Sequence, residues 1–170
     1  SMISVGYDGS NPQIIKKDNN IVNGSFVQSG ARSIFTQAFI KDGSMSKIAF
    51  VESIGYGTYA NYNVGIYDVA TKNTTYIKDS NGFKIDAYYA SAIDWSPDGT
   101  KLKYVKNDFQ VCTVSVNGGS PQCESPGLKY PGGTIQSDNT LFSYDLDTVY
   151  FRTTDSSTKG TVYSYKSSTK

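Results

Sequence analysis

An all-β fold built from a repeated four-stranded antiparallel unit is what this 170-residue sequence predicts, on three observations. The composition suits sheets and tight turns. There are 14 tyrosines and 16 glycines beside abundant Ser, Thr and Asn; aromatic and β-branched side chains fit a pleated surface, while Asn, Asp and Gly fit its turns. The chain also resembles itself at a spacing of about fifty residues, a period typical of repeat architectures. The copies, finally, carry turns rich in Asp, Asn and Gly between short apolar runs, the pattern of successive hairpins.

The run "WSPDGTKLKYV" (95–105) shows the first hairpin of the unit. Shifted forward by 47 positions it overlays Phe142-Ser143-Tyr144-Asp145 and the apolar residues after them. Shifted back by 56 it overlays Phe39-Ile40-Lys41-Asp42-Gly43, and after two extra residues Lys47 to Val51 match Lys101 to Val105. A second hairpin repeats as well: "ISVGYDGSNPQ" (3–13) overlays "CTVSVNGGSPQ" (112–122), with weaker copies at 65–72 and 161–168. Each unit therefore reads as strand, Asp-Gly turn, strand, loop, strand, Asn-Gly-type turn, strand. That is a four-stranded meander of the size of one propeller blade. One large aromatic per unit, Phe39, Trp95 or Phe142, is expected to fill the gap between stacked blades. Asp42, Asp98 and Asp145 are expected to cap their turns through backbone N–H groups.

"IDWSPDGTKLKYV" with "VCTVSVNGGSPQ", and "ISVGYDGSNPQII" at the front, resembles the TolB-like, WD40-like (PD40) family of β-propeller repeats. The unit from Ala90 to Glu124 is the specific match; the unit before it lacks Ser-Pro, and the one after it has Leu146 in place of Gly. The resemblance implies a fold and not an activity. It also implies a periplasmic, cell-envelope or secreted setting. The predicted architecture is a partial β-propeller in one segment, 1–170. Its units are 1–18 (the last two strands of a blade), 33–79, 90–125 and an incomplete blade at 134–170, thirteen strands in all. Closed propellers have four to eight blades, so two blade faces need covering. The favoured reading is an incomplete propeller cut from a larger one. A homodimer completing one closed ring ranks second, and an irregular small barrel or sandwich third.

The formal charge of +1, with 18% charged residues, carries no basic footprint for nucleic acid. No apolar run is long enough for a membrane span, and Ser1-Met2 reads as a cleavage scar, so a missing signal peptide decides little. The sequence has no histidine, which excludes His-based triads, His proton shuttles and His metal ligands. No Gly-x-Ser-x-Gly elbow, Walker loop or Cys-x-x-Cys pair occurs. No catalytic residue, metal site or cofactor is expected. "GYGTYA" (55–60) fits a dinucleotide fingerprint, but a strand-like sequence follows it where that motif needs a helix. Asp-Asn clusters at 17–20, 78–82 and 137–140 read as turns between units, too poor in acids for calcium.

The candidate binding residues are tyrosines. Blade geometry places the loops at 53–65 and 79–90 on one side of the disc, gathering Tyr56, Tyr59, Tyr62, Tyr88 and Tyr89. Exposed tyrosines give large, stiff, amphipathic contacts suited to a protein partner or a glycan. The competing reading is that they extend the hairpins and pack on one another. Cys112 and Cys123 flank Asn117-Gly118. A two-residue turn there sets them opposite, within bonding reach, while Pro121 would stand where the ladder needs an N–H. A one-residue shift would turn the thiols to opposite faces. Both arrangements stay open, and a disulfide would indicate an oxidising compartment. The function expected is thus a non-enzymatic binding scaffold. The runner-up is the propeller of a larger, prolyl-oligopeptidase-like hydrolase whose catalytic residues lie outside this chain, and a carbohydrate-binding module comes third.

Overall fold

The structure is a computed structural model that describes residues 2–4, 13–16, 21–22, 25–26, 32–55, 61–87, 90, 92–106, 110–125, 135–153 and 162–167. Among them the chain is strand and turn, with no helix. β1 (Met2–Ser4) pairs with β2 (Gln13–Lys16), and β3 (Ile21–Val22) with β4 (Ser25–Phe26). The β3–β4 hairpin adds to the strands expected, because two-residue strands leave no alternation to read. Three larger antiparallel sheets follow. The first is β5 (Arg32–Phe39), β6 (Lys47–Ile54), β7 (Asn61–Asp68) and β8 (Thr74–Tyr76), and the second is β9 (Ala92–Trp95), β10 (Lys101–Val105), β11 (Val111–Ser115) and β12 (Gln122–Glu124). The third has β13 (Ile135–Phe142), β14 (Thr148–Thr153) and β15 (Val162–Lys166). Within each sheet neighbours in sequence are neighbours in space. β9 lies against both β5 and β13. The sheets therefore fan out from their first strands, as propeller blades do.

Period-two alternation gives each sheet a face toward each neighbour. In the second sheet Trp95, Leu102, Tyr104, Cys112 and Val114 turn toward the first, where Ala49, Val51, Tyr62 and Val64 complete one core. Val105 and Val111 turn the other way, onto Val149 and Phe151 of the third sheet, with Phe142, Tyr163 and Tyr165 alongside. Bulky side chains of one sheet thus settle on smaller ones of the sheet before it. Each large apolar side chain fully buried this way stabilises by about 1.5–3 kcal/mol.

Trp95 meets its expected role. It is 1% exposed, and its indole N–H donates to the Ala38 carbonyl of the first sheet at 3.0 Å. Phe142 is only partly buried, and Phe39 is corrected outright at 42% exposed. Phe39 pairs with Ile48, on the face of the first sheet turned away from the second. The gap that Trp95 fills has no counterpart around it among the described residues.

The three Asp turns are built alike. The Asp98 carboxylate accepts hydrogen bonds from the Ser96 hydroxyl (2.6 Å), the Thr100 N–H (3.0 Å) and the Thr100 hydroxyl (2.9 Å). Asp42 accepts from the N–H and hydroxyl of Ser44, and Asp145 from the Ser143 hydroxyl and the Asp147 N–H. The residue after each Asp has positive φ: Gly43 79°, Gly99 70° and Leu146 63°. Glycine adopts that conformation without a Cβ clash. Leu146 holds it with its side chain 4% exposed, so burial offsets the backbone cost.

Candidate functional site

The tyrosine loops leave the first sheet along one edge. β6 ends at Ile54 and β7 begins at Asn61, so the loop between them springs from the same end as Tyr62. After β8 the chain doubles back beside β7: the Ile85 N–H bonds the Ile77 carbonyl at 3.0 Å, and the Ala87 N–H bonds the Tyr62 carbonyl at 2.9 Å. The Ala90 N–H then donates to the Ala87 carbonyl at 2.9 Å, with both alanines buried. Stems of both loops are therefore locked side by side by backbone bonds and small apolar anchors. Tyr56, Tyr59, Tyr88 and Tyr89 lie outside the described residues. Tyr62 is described, and its placement is corrected: it is 2% exposed and packs in the core between the first two sheets. Its ring shares the face of Val64, two residues on, which faces the second sheet.

The opposite edge, where the Asp turns lie, holds a cleft of about 370 Å³ between the first two sheets. Ile66, Val116 and the edge of Trp95 give it an apolar floor, while Lys47, Asn73, Thr75 and Asn117 supply polar walls. Asp68, opposite Lys47 in the β6–β7 ladder, is held by the N–H (2.8 Å) and hydroxyl (2.9 Å) of Thr71. Those bonds, the backbone one first, keep its carboxyl below the ordinary carboxylate range. Nearby, Lys41 pairs with Asp94 at 2.7 Å and donates to the Tyr144 carbonyl at 2.7 Å, so one ammonium joins all three sheets at their inner edge.

Three buried polar groups escaped the sequence reading. Lys103 is 1% exposed and donates to the Leu146 carbonyl (2.9 Å) and the Ser167 hydroxyl (2.8 Å). Burial pushes its pKa down, while Glu124, Asp147 and Asp145 oppose that shift. Glu52, equally buried, accepts a hydrogen bond from the Tyr76 hydroxyl. Lys103 lies between Leu102 and Tyr104, and Glu52 just beyond Val51; alternation alone marks both as solvent-facing. The Tyr104 hydroxyl is buried with no hydrogen-bond partner among the described residues, and burial raises its pKa.

Cys112 and Cys123 form a disulfide and stand directly opposite in the β11–β12 ladder, their Cα atoms 4.1 Å apart. Pro121 does not block this register, because β12 begins one residue later. Among the described residues no group of three or more His, Cys, Asp or Glu could hold a metal ion. In the 78–82 cluster the Asp79 carboxylate accepts the N–H groups of Asn81 and Phe83, both at 2.9 Å, which is turn chemistry. Residues 137–140 are not a loop between units but part of β13, and residues 17–20 lie outside the described residues. Strand β7 follows "GYGTYA" directly, so no helix N-terminus stands there to hold a pyrophosphate. Among the described residues no helix is long and apolar enough to cross a membrane.

No family model matches the chain, and no curated protein matches it. Solved structures do. An oligogalacturonate lyase from Vibrio parahaemolyticus is 17% identical with a TM-score of 0.56, covering 97% of this chain and 41% of its own. An oligogalacturonate lyase in complex with manganese is 14% identical with a TM-score of 0.59, over 96% of this chain and 40% of its own. A putative TolB from Agrobacterium tumefaciens is 15% identical with a TM-score of 0.51, over 86% and 43%. The chain thus spans about two fifths of the length of these structures, and identities this low speak for fold alone. With three sheets fanned from a common inner edge, its fold is that of a partial β-propeller.

Proposed function

We propose that this chain is a non-enzymatic binding scaffold that recognises a protein or glycan through the tyrosine loops at one edge of the first sheet. The bond from the Ala87 N–H to the Tyr62 carbonyl carries the reading, because it sets the stems of both loops side by side. Rigid stems lower the entropy lost on binding, and tyrosine is the residue that gains most contact per immobilised rotamer. The lack of histidine and the engagement of Asp98 in its own turn, with a pKa drawn down to about 2, favour binding over acid–base catalysis. A periplasmic, envelope or secreted setting agrees with the disulfide. The test is binding to glycan and peptide arrays by wild type and by two double variants, Tyr56→Ala/Tyr59→Ala and Tyr88→Ala/Tyr89→Ala. The expected result is a ligand whose affinity drops at least about tenfold in both, as hot-spot aromatics do, with the melting temperature unchanged. A ligand held equally by both variants would place recognition elsewhere.

A second site for the same broad function is favoured by the cleft at the opposite edge. An apolar floor with amide, hydroxyl and ammonium groups around it suits a neutral polyhydroxylated ligand. On this reading a glycan would be lost on Asn73→Ala/Asn117→Ala and kept by the tyrosine variants.

A further inference from the structure

The outer hairpin of the second sheet touches the segments that follow the first and third sheets. At its turn, the Gly119 N–H donates to the Lys78 carbonyl at 2.9 Å, and the hydroxyls of Ser120 and Ser80 stand 3.4 Å apart. That end is tied to the segment following the first sheet. At the other end Glu124, the last residue of β12, accepts a hydrogen bond from the Ser167 hydroxyl. Ser167 in turn accepts from buried Lys103 and, through its own N–H, donates to the Asp147 carbonyl at 2.7 Å. Glu124 therefore pins the second sheet to the third.

Besides a short ladder with β11 and the Glu124 hydrogen bond, one covalent bond holds β12 to its sheet. The strand has three residues, lies at the outer edge of its sheet and follows a proline that offers no N–H. Gln122 and Cys123 are exposed, whereas Cys112 is fully buried, so Cys123 is the half of the disulfide that faces solvent.

We propose that Cys112–Cys123 is a thiol-exchange site whose reduction by a dithiol frees β12 and loosens the junction between the second and third sheets. A thiolate of the dithiol attacks the Cys123 sulfur and forms a mixed disulfide. The Cys112–Cys123 bond breaks, and its electron pair leaves on the Cys112 sulfur, which takes up a proton. The second thiol of the reductant, deprotonated, then attacks its own partner sulfur, closing the reductant's disulfide and releasing Cys123 as a thiol. The protein gains two electrons and two protons, and the dithiol loses the same. With β12 free, Glu124 leaves Ser167 and Lys103, and the buried ammonium loses a neighbouring carboxylate.

The test is hydrogen exchange on the full chain, oxidised and after treatment with millimolar dithiothreitol without denaturant. The expected result is complete reduction within an hour. Exchange should then speed up at least about tenfold at β12, β15 and Ser167, the shift expected when one cooperative unit opens, with β5–β8 unchanged. Glu124→Gln in the oxidised protein should reproduce the effect at Ser167 and β15 alone. Three results would overturn the proposal: a disulfide that resists the reagent, reduction that leaves β15 and Ser167 protected, or exchange that rises equally in every sheet.

Discussion

A single carboxylate shows how far turn chemistry reaches. Asp98 is fully exposed, yet the Ser96 hydroxyl first, then the Thr100 N–H and the Thr100 hydroxyl, draw its pKa from 3.8 to about 2. The folded carboxyl titrates below the unfolded one, so the unfolded chain takes up the proton first as pH falls. The stabilisation is complete above an unfolded pKa near 3.8 and is lost as pH drops through about 2. Melting temperatures measured from pH 6 to pH 2 should fall steeply below pH 4, and Asp98→Asn should melt lower at pH 6 yet converge on wild type at pH 2. A variant whose deficit persists unchanged at pH 2 would mean that the charge plays no part. The role of Asp98 was legible because a short acceptor two residues before a Thr N–H can do little else in a turn. Tyr62 reads as part of the loop before it, yet the alternation backward from Val64 places it on the core face.

Among the elements, the β6–β7 pair depends on a missing side chain. Phe50 lies opposite Gly65 in the ladder, and its ring covers the glycine: a Cβ there would come within 2.5 Å of the ring. Gly65→Ala should destabilise by about 1–3 kcal/mol, the usual cost of overpacking a core. Phe50→Leu in the same chain should recover part of that loss, because the two residues touch. Denaturant titrations of the two single variants and the double variant measure the coupling; purely additive losses would contradict the contact. The hairpins themselves were readable from sequence, since Ser-Pro-Asp-Gly and Asn-Gly-Gly-Ser-Pro punctuate alternating apolar runs. The pairing of Cys112 with Cys123 was not, because it hinged on whether the ladder continued through Pro121 or stopped before it. β12 begins at Gln122, just past the proline, and the register of the Asn117-Gly118 turn survives.

For the whole molecule, the essential relation is between sheets. Repeat units could be seen in the sequence because each carries one aromatic before its Asp turn, but the surroundings of those aromatics differ. Trp95 lies under the first sheet, Phe142 is partly covered, and Phe39 is exposed over about two fifths of its surface. A repeat tells which positions are equivalent and leaves open which neighbours cover them. The buried links between sheets, Lys103 to Leu146 and Ser167 and Lys41 to Asp94 and Tyr144, also follow from no local pattern. They join residues remote in sequence that only the fan of sheets brings together.

The stacking of the second sheet on the first is tested most directly at Trp95, the sole tryptophan of the chain. A nuclear Overhauser experiment on labelled protein reads the neighbours of its indole proton without ambiguity. Cross-peaks from that proton to Ala38, with slow exchange against solvent, are the predicted result. A rapidly exchanging indole proton with no contact to residues of β5 would mean that the sheets do not stack and that the chain is not a partial propeller.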